Sequence, residues 1–230
     1  MTTMKFKGIN LTKKRMVNNL LRYYSLAMPN EIVEGLDWYR DANHFCKKLA
    51  NRFGVTVEVA AGVLSALSPQ CGFEQNKKFA ITALSEPRRR IISTRERTIK
   101  AQKIMGLNEP DSIHRALSIN EDGACKTKAF FMNIVKPYES TTCTIDRHAI
   151  GCLLQRPSQV EALPSRLCDL SPKQYQWFVE CYQEAAGSVG ILGHQFQAIL
   201  WTVYRRLREL REHKEVVVEG GYQGMDIESF

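Results

Sequence analysis

The sequence predicts an all-α chain, and three observations carry that expectation. Apolar residues recur at helical spacing, as in Val59, Ala60, Val63, Leu64 and Leu67. Prolines and glycines fall between such runs, at Gly54, Pro69, Pro87, Gly106, Pro110 and Pro137, where they end or open helices. Neither a βαβ alternation nor an internal repeat is present.

The elements follow in order. Residues 12–26 place Met16, Leu20, Tyr23 and Tyr24 on one face, and Pro29 closes the run. A second helix begins at Asp37-Trp38-Tyr39 and ends near Gly54. Thr56 opens a strongly apolar third helix that Pro69 terminates. A fourth runs from Glu74 to Leu84 and breaks at Pro87 and the run Arg88, Arg89, Arg90. Short helices are expected over 94–105 and 111–118, and another over 126–135. Thr141 to Ile145 is β-branched enough for a strand, yet too short and isolated to build a sheet. Alternatively, Thr144 or Asp146 N-caps a helix through Leu154. Ser171-Pro172 starts the next helix, with proline in its first turn. The last runs from Gly193 to His213. Residues 1–214 are thus expected as a single all-α domain, with 88–140 as a candidate second lobe, and 215–230 as a loosely held tail.

Composition bounds the function classes. Hydrophobic residues make up 44% of 230 residues, enough for a core without staples. The net charge of +8 and a pI near 9.2 are compatible with nucleic acid or another acidic partner. The seven cysteines show no C-x-x-C pair, so no zinc knuckle or redox motif is visible and reduced thiols are the plain reading. With no long apolar run and no signal-like N-terminus, the expectation is a soluble, cytoplasmic, monomeric protein without a membrane partner.

Three stretches can carry chemistry. In "LSALSPQCGFEQN" an apolar helix stops at Ser68-Pro69-Gln70 and leaves polar groups at the end of a core element. That suits a binding loop, and it equally suits a Pro-terminated helix with a polar turn. In "GACKTKAFFMNI", Lys126, Thr127 and Lys128 open a helix, where backbone N–H groups bind phosphate. Against an apolar wall a lysine can become a nucleophile; the alternative is a solvated basic turn. In "TIDRHA", Asp146, Arg147 and His148 are consecutive. Asp146 is either an N-cap with Arg147 and His148 as ion-pair partners, or a carboxylate held in a pocket.

Taken together, the order and spacing of these stretches resemble the helix-hairpin-helix DNA glycosylases of the endonuclease III type. "AAGVLSALSPQCGFEQNKKFA" is similar to the family's apolar helix ending in Ser-x-Gln before a polar loop and an Asn-Lys pair, here Asn76-Lys77. "KTKAFFMNI" resembles the helix after the family's hairpin, and "TIDRHAIG" its Asp-x-His segment. The likeness looks closest to small phage-encoded members with "TIDRHA" and a C-terminal Gln-Ala-x-x-Trp, here Gln197 to Trp201. It implies a two-lobed fold with an interlobe cleft, acting on double-stranded DNA. Asp146 would then stabilise the sugar cation of a flipped nucleotide or activate water, and Lys126 would attack the sugar carbon in a bifunctional enzyme. Gln70 would fill the hole in the duplex. His148 would orient the aspartate, Arg147 would hold a phosphate or a surface acid, and Thr127 would support the site. Ser68, Asn76, Gly123, Lys128 and Arg88 to Arg90 would contact DNA.

Two departures bear on this. The family's hairpin carries two glycines, whereas "NEDGACK" has only Gly123 beside Glu121 and Asp122. The cysteines are too widely spaced for the iron–sulfur cluster of some members, so neither metal nor other cofactor is expected. Three functions remain. One is a glycosylase cleaving the N-glycosidic bond of a modified base. Another is a phage DNA-hypermodification transferase that displaces pyrophosphate from a 5-hydroxymethyl-pyrimidine derivative with an amino acid or amine. The third is a catalytically silent DNA-binding protein. Phe196, Trp177 and Trp201 are expected in the core.

Overall fold

The computed structural model describes residues 2–87, 89, 95–118 and 125–219, with side chains to 212. Among them the chain is all-α apart from one antiparallel hairpin, β1 (Thr3–Phe6) with β2 (Ile9–Thr12). The sequence reading passed over this hairpin. Its signal is a Lys7-Gly8 turn, both residues at positive φ. Ten helices follow: α1 (Lys13–Tyr24), α2 (Pro29–Phe53), α3 (Val57–Leu67), α4 (Phe73–Ser85), α5 (Arg95–Met105), α6 (Pro110–Ala116), α7 (Lys126–Val135), α8 (Arg147–Leu154), α9 (Pro172–Ser188) and α10 (Gly193–Glu219).

Local chemistry explains most boundaries. Thr12, Thr56 and Ser171 accept from backbone N–H groups three residues on, as N-caps do. Gly54 ends α2 in the left-handed conformation. Pro29 does not close α1 as expected; it opens α2, eight residues before the predicted start. Proline at the first helical position loses no hydrogen bond there, and Glu31 reaches back to the Met28 N–H at 2.9 Å. At its other end the chain stays helical to Glu219, beyond the expected stop at His213, and the remainder of the expected tail lies outside the described residues.

Buried residues fall into two hydrophobic clusters. One joins the hairpin, α1, α8, α9 and most of the inner face of α10, with Phe6, Leu20, Phe178, Tyr182 and Phe196 at its centre. The other joins α2 to α7 around Leu64, Leu67, Ile104 and Phe131. Helices α4 and α5 both pack in the second cluster, because α3 offers an apolar face to each. Long helices α2 and α10 lie against one another across the junction. Gly35 permits that approach: a Cβ there would stand 2.5 Å from the Ile199 backbone nitrogen.

Candidate active-site cleft

A cleft of about 1310 Å³ has walls from both clusters: Ile145, Ile150 and Tyr175 on one side, Tyr39, Phe130 and Ala198 on the other. Segment 141–146 has no regular secondary structure, and its last three residues form the cleft floor. It is not a strand. Its polar groups are met by side chains instead, as burial requires. The Tyr175 hydroxyl donates to the Cys143 carbonyl at 2.8 Å and accepts from the Ile145 N–H at 3.0 Å. Thr144 Oγ1 receives Tyr39 at 2.8 Å and Asn133 at 3.1 Å, and Ser140 donates to Asn133 at 2.5 Å. Tyr39 also lies 3.0 Å from Gln197 Oε1. All these side chains are buried.

This scaffold ends in Asp146, which N-caps α8. Both alternatives left open by the sequence apply to the one residue: its Oδ1 accepts from the Ala149 N–H at 2.8 Å, and its carboxylate still lines the cleft. The side chain is 16% exposed. Burial pushes its pKa up, but the hydrogen bond and charge of His148, the charge of Lys126 and the Ala149 N–H together pull it below the usual carboxylate range. The partner is His148, with Nδ1 at 3.3 Å from Oδ2, and not Arg147. Arg147 is exposed at the cleft edge, 3.5 Å from Ser165 Oγ. The His148 ring is fixed edge-on between Trp201 (5.8 Å) and Tyr204 (5.5 Å). Tyr204 in turn sits over Gly151, where a Cβ would come within 2.4 Å of its ring.

Lys126 opens α7 in the opposite wall, near enough for its charge to act on both Asp146 and Cys71. Thr127 does not face the cleft floor; its hydroxyl donates to the Leu117 carbonyl at 3.0 Å and ties α7 to the end of α6. Gln70 and Ser68 stand at the cleft rim, Gln70 exposed and Ser68 half-buried with its hydroxyl on the Ser65 carbonyl.

Several expected DNA contacts are buried or paired within the protein. Lys128 is 4% exposed, so its ammonium is not presented to a backbone phosphate; burial lowers the pKa of His114, and the charge of Lys128 adds to that. Asn76 is 2% exposed, and its amide donates to the Leu64 carbonyl at the end of α3. Arg89 pairs with Glu86 at 2.9 Å. Arg88, Arg90 and Gly123 lie outside the described residues. The C-terminal arginines pair along the helix, Arg205 with Glu209 and Arg208 with Glu212.

Aromatic side chains line both walls of the cleft. Trp177 and Phe196 are core, as expected. Trp201 is not: it lines the cleft with Arg205 stacked 4.7 Å over its ring. The available signal was an arginine four residues after the tryptophan, on the same helical face. Opposite, Trp38 packs on Phe73 (4.8 Å) and Phe130 (5.7 Å), and all three line the cleft. The charged lining is mixed: Lys126, Arg147, Arg205 and Arg208 face Glu34, Glu74, Asp146, Asp169, Glu209 and Glu212. Among the described residues no group of three His, Cys, Asp or Glu could hold a metal ion, and no helix is long and apolar enough to cross a membrane.

Comparison with curated proteins and with solved structures returns no match. A family profile matches residues 3–208, from the hairpin through most of α10. That span includes every cleft-lining residue except Glu209 and Glu212. The chain therefore belongs to the family of unknown function DUF7178.

Proposed function

We propose that this chain is a DNA-base-acting enzyme that cleaves the N-glycosidic bond of a flipped, modified base. On this reading the two clusters are the lobes of a helix-hairpin-helix glycosylase-like fold. The protein acts as a monomer on double-stranded DNA in the cytoplasm, the host's if it is phage-encoded. One observation carries it: Asp146 is an ionised, largely buried carboxylate that faces a cleft lined by aromatic side chains. Breaking the bond from C1′ to the base builds positive charge on the sugar, and a fixed carboxylate in a dry site stabilises that charge. Water then bonds to C1′ and loses a proton toward Asp146 or solvent, while the departing base takes a proton from solvent. Lys126, in the facing wall, is the alternative nucleophile and would leave a Schiff base. Trp201 and the Trp38–Phe73 wall offer π-faces on which an everted base stacks.

A second reading, the transferase, is favoured by the size and charge of the cleft. A volume of about 1310 Å³ leaves room beside one nucleotide, and the exposed Glu34 and Asp169 suit an amine co-substrate. The amine nitrogen would bond to the exocyclic CH2 as the bond from that carbon to pyrophosphate breaks. The nitrogen loses a proton, and pyrophosphate leaves. Incubating the protein with phage-type modified DNA, with and without an amine, and digesting to nucleosides for mass spectrometry separates the two. Free base is expected for the glycosylase and a heavier nucleoside for the transferase. Neither product from any modified DNA overturns the enzyme assignment.

A further inference from the structure

The loop at the cleft rim is held in an unusual way. Gln70 has φ of 58°, one of two left-handed non-glycine residues among those described. For an L-residue with a Cβ this region is sterically costly, so it persists only where surrounding contacts impose it. Beside local bonds from Ser68 and Cys71, the long-range contacts come from Arg97, on the first turn of α5. Its guanidinium donates to the Pro69 carbonyl at 2.6 Å and to Gln70 Oε1 at 2.7 Å. Arg97 lies 27 residues away in the chain, so this is a tertiary brace and not part of a turn motif. A planar fork makes both bonds at once, which a lysine ammonium on a flexible stem does poorly.

The bonding also determines how Gln70 is oriented. Its carbonyl oxygen accepts from Arg97, so the amide turns its NH2 away from Arg97, from an exposed position at the cleft rim. We propose that Arg97 is a positioning residue: it sets Gln70 over the cleft with its amide NH2 outward, where it fills the space of an everted nucleotide and donates to the acceptor edge of the base left behind. This rests on the base-everting reading of the cleft.

Two measurements on the full chain test it. In hydrogen exchange read by mass spectrometry, Arg97→Ala should speed exchange over residues 68–72 about tenfold, since two charge-assisted bonds are lost from one loop. Gln70→Glu should keep the loop as protected as the parent, because its carboxylate accepts from Arg97 in the same place. In a duplex carrying 2-aminopurine at a mismatch, the parent should raise the fluorescence. Both variants should lower that rise about fivefold at saturating protein: Arg97→Ala by loosening the probe, Gln70→Glu by removing the donor. Arg97→Lys should recover little of either signal. Parental exchange in Arg97→Ala overturns the brace. Faster exchange with an undiminished fluorescence rise overturns its role on DNA, and so does a Gln70→Glu variant that matches the parent. If the parent itself gives no rise, base eversion fails as a reading of the cleft, while the exchange result still decides the brace.

Discussion

Two stretches of the cleft meet its contents in opposite ways. The floor, residues 144–146 with the adjoining Cys143, is largely buried and tied at every residue: Tyr175 grips Cys143 and Ile145, Thr144 is a hub for Tyr39 and Asn133, and Asp146 caps α8. The rim, residues 68–72, is half-buried to exposed, adopts a left-handed turn at Gln70, and is braced by Arg97 from a distant helix. A group that stabilises developing charge gains by being fixed before the reaction, since no reorganisation is then needed. A group that must enter a duplex gains from contacts that can be exchanged for new ones. The floor is built as a scaffold and the rim as a probe.

The largest expected effect is at the floor. Asp146→Asn retains the cap, because Asn serves nearly as well as Asp at that position. The variant should fold and bind DNA like the parent, yet lose about 10²-fold or more in turnover, the scale for a charge-stabilising group. Single-turnover kinetics on modified DNA check this; full activity would reduce Asp146 to a cap and dissolve the contrast between the two stretches.

Tyr175→Phe comes next. It leaves the buried Ile145 N–H and Cys143 carbonyl without their partner, at a cost of about 1–3 kcal/mol. Thermal unfolding should show that loss, and turnover should fall about tenfold as the aspartate shifts. A loss of stability without any loss of turnover would mean that the floor supports the fold and not the carboxylate.

The smallest effect is on pH dependence. Asp146 has its pKa held below the usual carboxylate range, with His148 and Lys126 pulling against burial. Activity that needs the ionised form should therefore persist as pH falls past about 4, the ordinary aspartate value, and fail only at the lower folded value. The stability the carboxylate contributes follows the same course, present above the unfolded value and lost as pH drops through the folded one. His148→Gln removes a major downward influence and should move the acid limb of the pH–rate profile upward. An unmoved limb would assign the titration to another group.

Much of this was legible in the chain. Thr56 and Ser171 announced their helices because a cap needs only a side-chain oxygen and the N–H groups of the next turn. The order of Ser68-Pro69-Gln70, Lys126 and Asp146 nominated Ser68, Gln70, Lys126 and Asp146, and all four line one cleft. Pro29 misled because proline ends one helix and opens another with the same local chemistry, and only Glu31 behind it distinguishes them. Trp201 misled because helical periodicity reports that a face is apolar, not whether a neighbour covers it.

Periodicity, caps and turn residues are local, so the sequence by itself determined an all-helical chain, most helix starts and the aspartate at the head of α8. Which side chains meet across 27 to 158 residues is set by packing, and only the tertiary structure decided it. It selected His148 over Arg147 as the partner of Asp146, turned Lys128 inward while Lys126 faces the cleft, and brought Arg97 to Gln70. The physical reason is that successive helical residues point about 100° apart, so neighbours in sequence part company in space once two apolar clusters fix how each helix is rotated.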